Sequence, residues 1–132
     1  MTYLCTNIQA YLDKSYGTGH CVPFVQHCAT APQAKNWKKG LKVRGNDNRI
    51  PRGATIATFD DNGHYANQPT GNHAAIYDGQ DERGLWVYDQ FLRRQPEAPG
   101  EQVRQPVTRR HIRFRAGQGS PSNDGDAFFV VE

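Results

Sequence analysis

The sequence predicts an α+β domain in which N-terminal helices pack on an antiparallel β-sheet. Three observations lead there. Apolar residues recur at helical spacing near the N-terminus, β-rich runs follow one another through the rest of the chain, and no βαβ alternation is visible.

In the stretch "TNIQAYLDKSYG", Ile8, Tyr11 and Leu12 fall at i, i+3 and i+4, with Thr6 placed to cap the start and Gly17 just past the end. This spacing predicts a short amphipathic helix. From Cys21 to Ala29 the set Cys21, Phe24, Val25 and Cys28 repeats at i, i+3, i+4 and i+7. Pro23 fits there because amides of the first helical turn have no carbonyl to bond. Cys21 therefore opens a second helix and faces the body of the protein.

The stretch "APQAKNWKKGLKVRGNDN" is turn-rich and basic. After it, "IPRGATIATF" gives a strand following a Pro-Gly break, and "DDNG" turns the chain. The runs "HAAIYDG", "GLWVYDQF", "VTRRHIRFR" and "AFFVVE" bring the strands to four or five, with "RRQPEAPGEQ" and "AGQGSPSNDGD" as loops. A length of 132 residues suits one domain, 1–132, and one site.

Hydrophobic residues at 36% and charged residues at 22% exclude a disordered or fibrous chain. The net charge of +3 is too small to imply nucleic acid, although it suits an anionic polymer. No apolar stretch is long enough for membrane insertion, and the N-terminus lacks the basic and apolar regions of a Sec signal, so export by that route is not expected. Three cysteines argue against a multi-bridge scaffold and leave at least one thiol free.

A thiol reacts as the thiolate, and a helix N-terminus favours the negative charge. Cys21 stands at such a position. Its proton acceptor must come from His20, His27, His64, His73 or His111. His20 points away from its neighbour, His27 lies nearly two turns along the same helix, and His64 sits in a turn, whereas His73 opens a strand that would hold it rigidly. The imidazole then needs an acceptor for its other nitrogen. Asp89 and Gln90 in "GLWVYDQF" point to opposite faces, so only one serves: Asp89, or Gln90 if the register shifts by one.

The order of Cys21 at a helix start, His73 in "NHAAIYDG" and Asp89 in "VYDQF" resembles the papain-like NlpC and CHAP amidase superfamily. "GHCVPFVQ" is similar to the CHAP helix start, "PRGATIATF" to the strand before the histidine loop, and "YDQF" to the Glu-Gln-Asn tract. With "NWKKGLKVRGN", "RIPRGATIATF" and "DGDAFFVVE", the chain further resembles small amidase effectors of bacterial type VI secretion over nearly its whole length.

That resemblance implies a papain-like (NlpC/CHAP) fold and a cysteine hydrolase that cuts an amide bond in the stem peptide or cross-link of peptidoglycan. Cys21, His73 and Asp89 would be its catalytic residues, with no metal or organic cofactor. It also implies passage through a secretion machine, action in the periplasm of a target bacterium, and an immunity protein as partner. Many CHAP members carry Gln immediately before the cysteine, where this chain has His20. The second oxyanion donor, beside the Cys21 N–H, then falls to His20 or Tyr16, and Gln90 is a further substrate-binding candidate.

Other readings compete. The same residues suit a cysteine amidase or acyltransferase acting on a different amide, and a non-catalytic cell-wall-binding module would use the same groove. The His-Cys pairs at 20–21 and 27–28 lack the second knuckle of a zinc site, so no metal is expected. Cys28 reads as a packed core residue, with a bridge to Cys5 as the alternative if the first helix packs beside the second. Arg109, Arg113 and Arg115 would share a strand face, solvated or docked against an anionic partner.

Overall fold

In a computed structural model, which describes residues 2–17, 20–65, 71–94, 102–104 and 106–132, Cys21–Ala29 forms the single α-helix among those residues, α1. Its bounds are those the periodicity predicts. The helix buries Phe24, Val25, Cys28 and Ala29, and it stops where Thr30 turns left-handed at φ 54°. His20 precedes it in an extended conformation and supplies no side-chain cap.

The first predicted helix shrinks to a single 3-10 turn, Ile8–Tyr11. Two causes act together. A helix of that length is marginal by itself, and the chain beyond it pairs elsewhere: Asp13 N–H donates to the Val107 carbonyl at 2.9 Å and Lys14 O accepts from Val107 N–H at 2.8 Å. Asp13 adopts φ 64° to make that turn, so tertiary hydrogen bonding overrides the periodicity.

The strands are β1 (Lys39–Lys42), β2 (Thr55–Thr58), β3 (Ala74–Gln80), β4 (Gly84–Asp89), β5 (Leu92–Arg94), β6 (Gln102–Arg104), β7 (Thr108–Arg113) and β8 (Phe128–Val131). Six of them form an antiparallel sheet in the order β1-β8-β2-β3-β4-β7, as the hairpin pattern predicts, while β5 and β6 pair in a separate ribbon. That ribbon lies where the sequence suggests only a loop; residues 95–101 of the loop are outside the described residues. Edge strand β1 lies in the basic stretch and escapes the pattern because its residues are mostly exposed. Short, charged edge strands of this kind block edge-to-edge pairing.

Each face of the sheet carries an apolar cluster. On one, Phe24, Val25 and Cys28 of α1 pack with Ala57, Ala74, Ile76, Tyr88 and Val131. On the other, Ile56, Ala75, Tyr77, Leu85, Val87, Ile112 and Phe128 come together. The strict alternation of Ala74/Ala75 and Tyr88/Val87 between these clusters follows from the two-residue period of a strand.

Cys28 is not a plain core thiol, because it is bonded to Cys5. The N-terminal segment is held for this pairing by Cys5 N–H, which donates to Gly53 O at 2.9 Å. The bridge spans 23 positions, for which chain-entropy reasoning gives about 3 kcal/mol. Cys5→Ala is expected to lower stability by that order in a denaturant titration, while the reactivity of Cys21 toward iodoacetamide stays unchanged. A variant as stable as the wild type would mean the bridge adds nothing to the fold.

Candidate active site

Cys21 is the free cysteine, half-buried at the first position of α1. Two features of the preceding segment fix it there. Gly17 has φ +56°, and a Cβ at that position would lie 2.6 Å from the Cβ of Pro23, so the chain passes against the helix start only as glycine. The fully buried Gln90 side chain accepts from Tyr16 N–H at 3.0 Å and donates to the carbonyls of Tyr16 and His20, both at 2.7 Å. Gln90 thus ties both ends of the loop that leads into Cys21.

At the mouth of β3 the Cys21 sulfur meets three groups: the His73 imidazole, the Ala74 N–H and the Tyr65 hydroxyl, the last at 3.7 Å. His73 is buried just before β3, and its own N–H donates to Thr58 Oγ1 at 3.0 Å. Its Nε2 lies 2.6 Å from Asp89 Oδ2, which leaves Nδ1 to face the sulfur.

Strand register explains the rest. With Ile76 opposite Tyr88, His73 and Asp89 are diagonal neighbours on one face of the β3–β4 pair. With Asp89 opposite Thr108, Arg110 is the corresponding diagonal neighbour on β7. Arg110 Nε donates to Asp89 Oδ1 at 3.0 Å and Oδ2 at 2.8 Å, and one terminal nitrogen lies 3.5 Å from His73 Nε2. The carboxylate of Asp89 is wholly buried and therefore held by a cation on either side. Gln90, one residue on, points to the opposite face, toward the α1 loop.

The electrostatics favour a charged pair. Burial pushes the Cys21 thiol up, but hydrogen bonding and charge from His73, the Ala74 N–H and the Tyr65 hydroxyl outweigh it and bring the thiol below its ordinary value. Burial lowers the His73 imidazole, and the bonds to Asp89 and Cys21 overcome that and raise it to about 9. Burial likewise raises Asp89, yet His73 and Arg110 hold it below the usual carboxylate range. All three shifts favour the charged forms, thiolate, imidazolium and carboxylate in that order, with the sulfur against a helix N-terminus.

Of the three weaker candidates, Gln90 is the loop tie just described. The Tyr16 ring stacks on His27 with centroids 5.0 Å apart and also packs against Tyr11. His20 is exposed, and its carbonyl is the group engaged. Sequence reasoning missed Arg110 and Tyr65. Arg110 was visible only as one arginine of a basic strand, and Tyr65 stands in a loop without periodicity. Among the described residues no three His, Cys, Asp or Glu side chains converge as a metal site, and no helix is long and apolar enough to cross a membrane.

Comparison with known proteins gives a consistent result. The chain matches the family described as domesticated amidase effector 2 over residues 1–131. The type VI secretion amidase effector 2 protein of Salmonella typhi is 38% identical over 144 residues, covering 100% of both chains. Domesticated amidase effector 2 of Ixodes scapularis is 36% identical over 96 residues, which is 73% of this chain and 56% of that protein. A solved structure of type 6 secretion amidase effector 2 (Tae2) matches with a TM-score of 0.77 and 34% identity, over 98% of this chain and 94% of that one. Fold and relatives together define the class, an α+β domain of the amidase effector type. Within it, the chain belongs to the domesticated amidase effector 2 family.

Proposed function

We propose that the chain is a peptidoglycan amidase of the type VI secretion effector class, working as a papain-like cysteine hydrolase within one domain, 1–132. Family membership supports amide hydrolysis and secretion toward a target cell. The observation that carries the cysteine mechanism is the chain of contacts from Cys21 through His73 to Asp89 at the start of α1.

In this mechanism the Cys21 thiolate attacks the amide carbonyl carbon, and the carbonyl π pair moves onto oxygen. The oxyanion forms beside the Cys21 N–H at the helix N-terminus. As the C–N bond breaks, the His73 imidazolium gives its proton to the departing nitrogen. Neutral His73 then takes a proton from water, whose oxygen attacks the thioester, and the acid product and thiolate are released. Asp89 holds the imidazole in one orientation and stabilises its charged form, with Arg110 fixing the carboxylate in turn. The substrate is a stem peptide or cross-link met in the periplasm of a target bacterium, and a producing cell protects itself with an immunity protein.

The test is digestion of Gram-negative sacculi followed by mass spectrometry of the soluble products. New amine and carboxyl termini in the peptide portion are expected, and their position names the bond. Sacculi left intact by a folded enzyme that still hydrolyses other amides would remove peptidoglycan as the substrate.

A further inference from the structure

We propose that Tyr65 is a fourth catalytic residue: its phenolic O–H bonds the Cys21 sulfur in the resting enzyme and stabilises the oxyanion when that sulfur attacks an amide. This rests on the cysteine-hydrolase reading above and adds the side-chain donor that reading lacks.

The geometry places the hydroxyl at the reacting atom. Tyr65 Oη lies 3.7 Å from Cys21 Sγ. An oxygen on the carbon that joins sulfur sits within about 3 Å of the sulfur, so a hydroxyl at this distance comes within reach of the roughly 2.7–3.1 Å that an oxyanion donor requires. Of the donors suggested by the sequence, Tyr16 has its ring stacked on His27 and His20 is exposed.

The hydroxyl is also preorganised. The Tyr65 ring packs edge-on against Trp37 with centroids 5.0 Å apart, and buried Trp37 is itself locked by its Nε1–H, which donates to Pro32 O at 2.9 Å. The Asn72 side chain also hydrogen bonds Tyr65, a contact that works against the rise in the phenol's pKa. Burial, followed by the adjacent Cys21, raises the phenol far above its ordinary value. Tyr65 therefore remains a neutral O–H donor across the working pH range, and a poor proton source.

The step balances without a proton transfer from Tyr65. Sulfur's electron pair forms the C–S bond, the π pair moves to oxygen, and the Tyr65 O–H turns from sulfur, which has lost its charge, to the oxygen that has gained it. When the intermediate collapses, the pair returns to carbon, the C–N bond breaks, and nitrogen takes its proton from His73. The bond to sulfur is given up as the bond to oxygen forms, and the gain is the difference between them: a compact oxyanion accepts a shorter, stronger O–H bond than a large, diffuse thiolate does at 3.7 Å.

Tyr65→Phe keeps the ring against Trp37 and removes only the hydroxyl. Single-turnover release of the amine, measured at a pH where the thiolate is fully formed, is expected to fall about 10²-fold with KM little changed. The midpoint of the pH dependence of iodoacetamide alkylation at Cys21 should move upward. A merely structural tyrosine would leave both readouts at wild-type values, and that result overturns the proposal. Asn72→Ala provides the second variant: it should slow the wild type about tenfold and have no effect in the Tyr65→Phe background, as a group acting only through Tyr65 must. An equal loss in both backgrounds would count against the proposal. Cys21→Ala run in parallel separates the two readings, because its full activity would sink the thiol mechanism itself. An inactive Cys21→Ala beside a fully active Tyr65→Phe would sink only the role of Tyr65.

Discussion

Cys21→Ala is expected to reduce amide hydrolysis by at least about 10⁴-fold, the scale on which single members of a nucleophilic triad act, while the melting temperature stays near that of the wild type. The reason is local. The side chain opens α1 and is only half-buried, so replacing sulfur by hydrogen costs little packing, and alanine is the best helix former. The backbone N–H groups of the first turn remain, as do the Gln90 bonds to Tyr16 and His20. Oxyanion stabilisation without a nucleophile should therefore leave a small residual rate. In the wild type, activity should rise with pH as the thiolate forms, below the ordinary thiol range, and fall as the His73 imidazolium is lost at about pH 9. Thiol alkylation should abolish activity with the same acid limb. An alanine variant that digests sacculi at the wild-type rate would end the cysteine mechanism.

What was legible in the sequence was what a strong local pattern dictates. Four apolar residues at i, i+3, i+4 and i+7 specified α1 to the residue, with Pro23 in its first turn. Alternation in "GLWVYDQF" separated Asp89 from Gln90, and the structure does put them on opposite faces, one toward His73 and the other toward the loop before α1. The failures have the opposite character. The helix expected between the Thr6 cap and Gly17 gave way to hydrogen bonds with Val107, a partner more than ninety residues away that no local window contains. Arg110 reaches Asp89 only through the register of β4 on β7, and a shift of one residue would have sent Arg109 there instead. Arg109 in fact bonds Asp78 at 2.7 Å and lies over the Trp86 ring. Cys28 had two readings from sequence, and only the position of Cys5 beside it decided for the bridge.

Asp89→Asn is the second substitution with a large expected effect, a loss of about 10³–10⁴-fold in kcat, since an amide can hold the imidazole in the wrong tautomer and cannot balance its charge. The sign of the pH shift is fixed by the contacts. Burial favours neutral His73, and the hydrogen bond to Asp89 is the largest influence opposing it, so its removal lets the imidazole fall from about 9. The alkaline limb should therefore move to lower pH. The Cys21 thiol is in turn held down chiefly by His73 against its burial, so the acid limb should move up and the working window should close from both sides. The variant also leaves the Arg110 guanidinium, 29% exposed at its side chain, without a carboxylate and 3.5 Å from His73 Nε2. A cation so placed disfavours the imidazolium further. Adding Arg110→Gln to Asp89→Asn should thus recover part of the alkaline limb, whereas Arg110→Gln alone should cost far less, because His73 still helps to keep Asp89 ionised. If the alkaline limb stays in place in Asp89→Asn, the carboxylate is not what sustains the charge on His73, and its burial between two cations serves the fold alone.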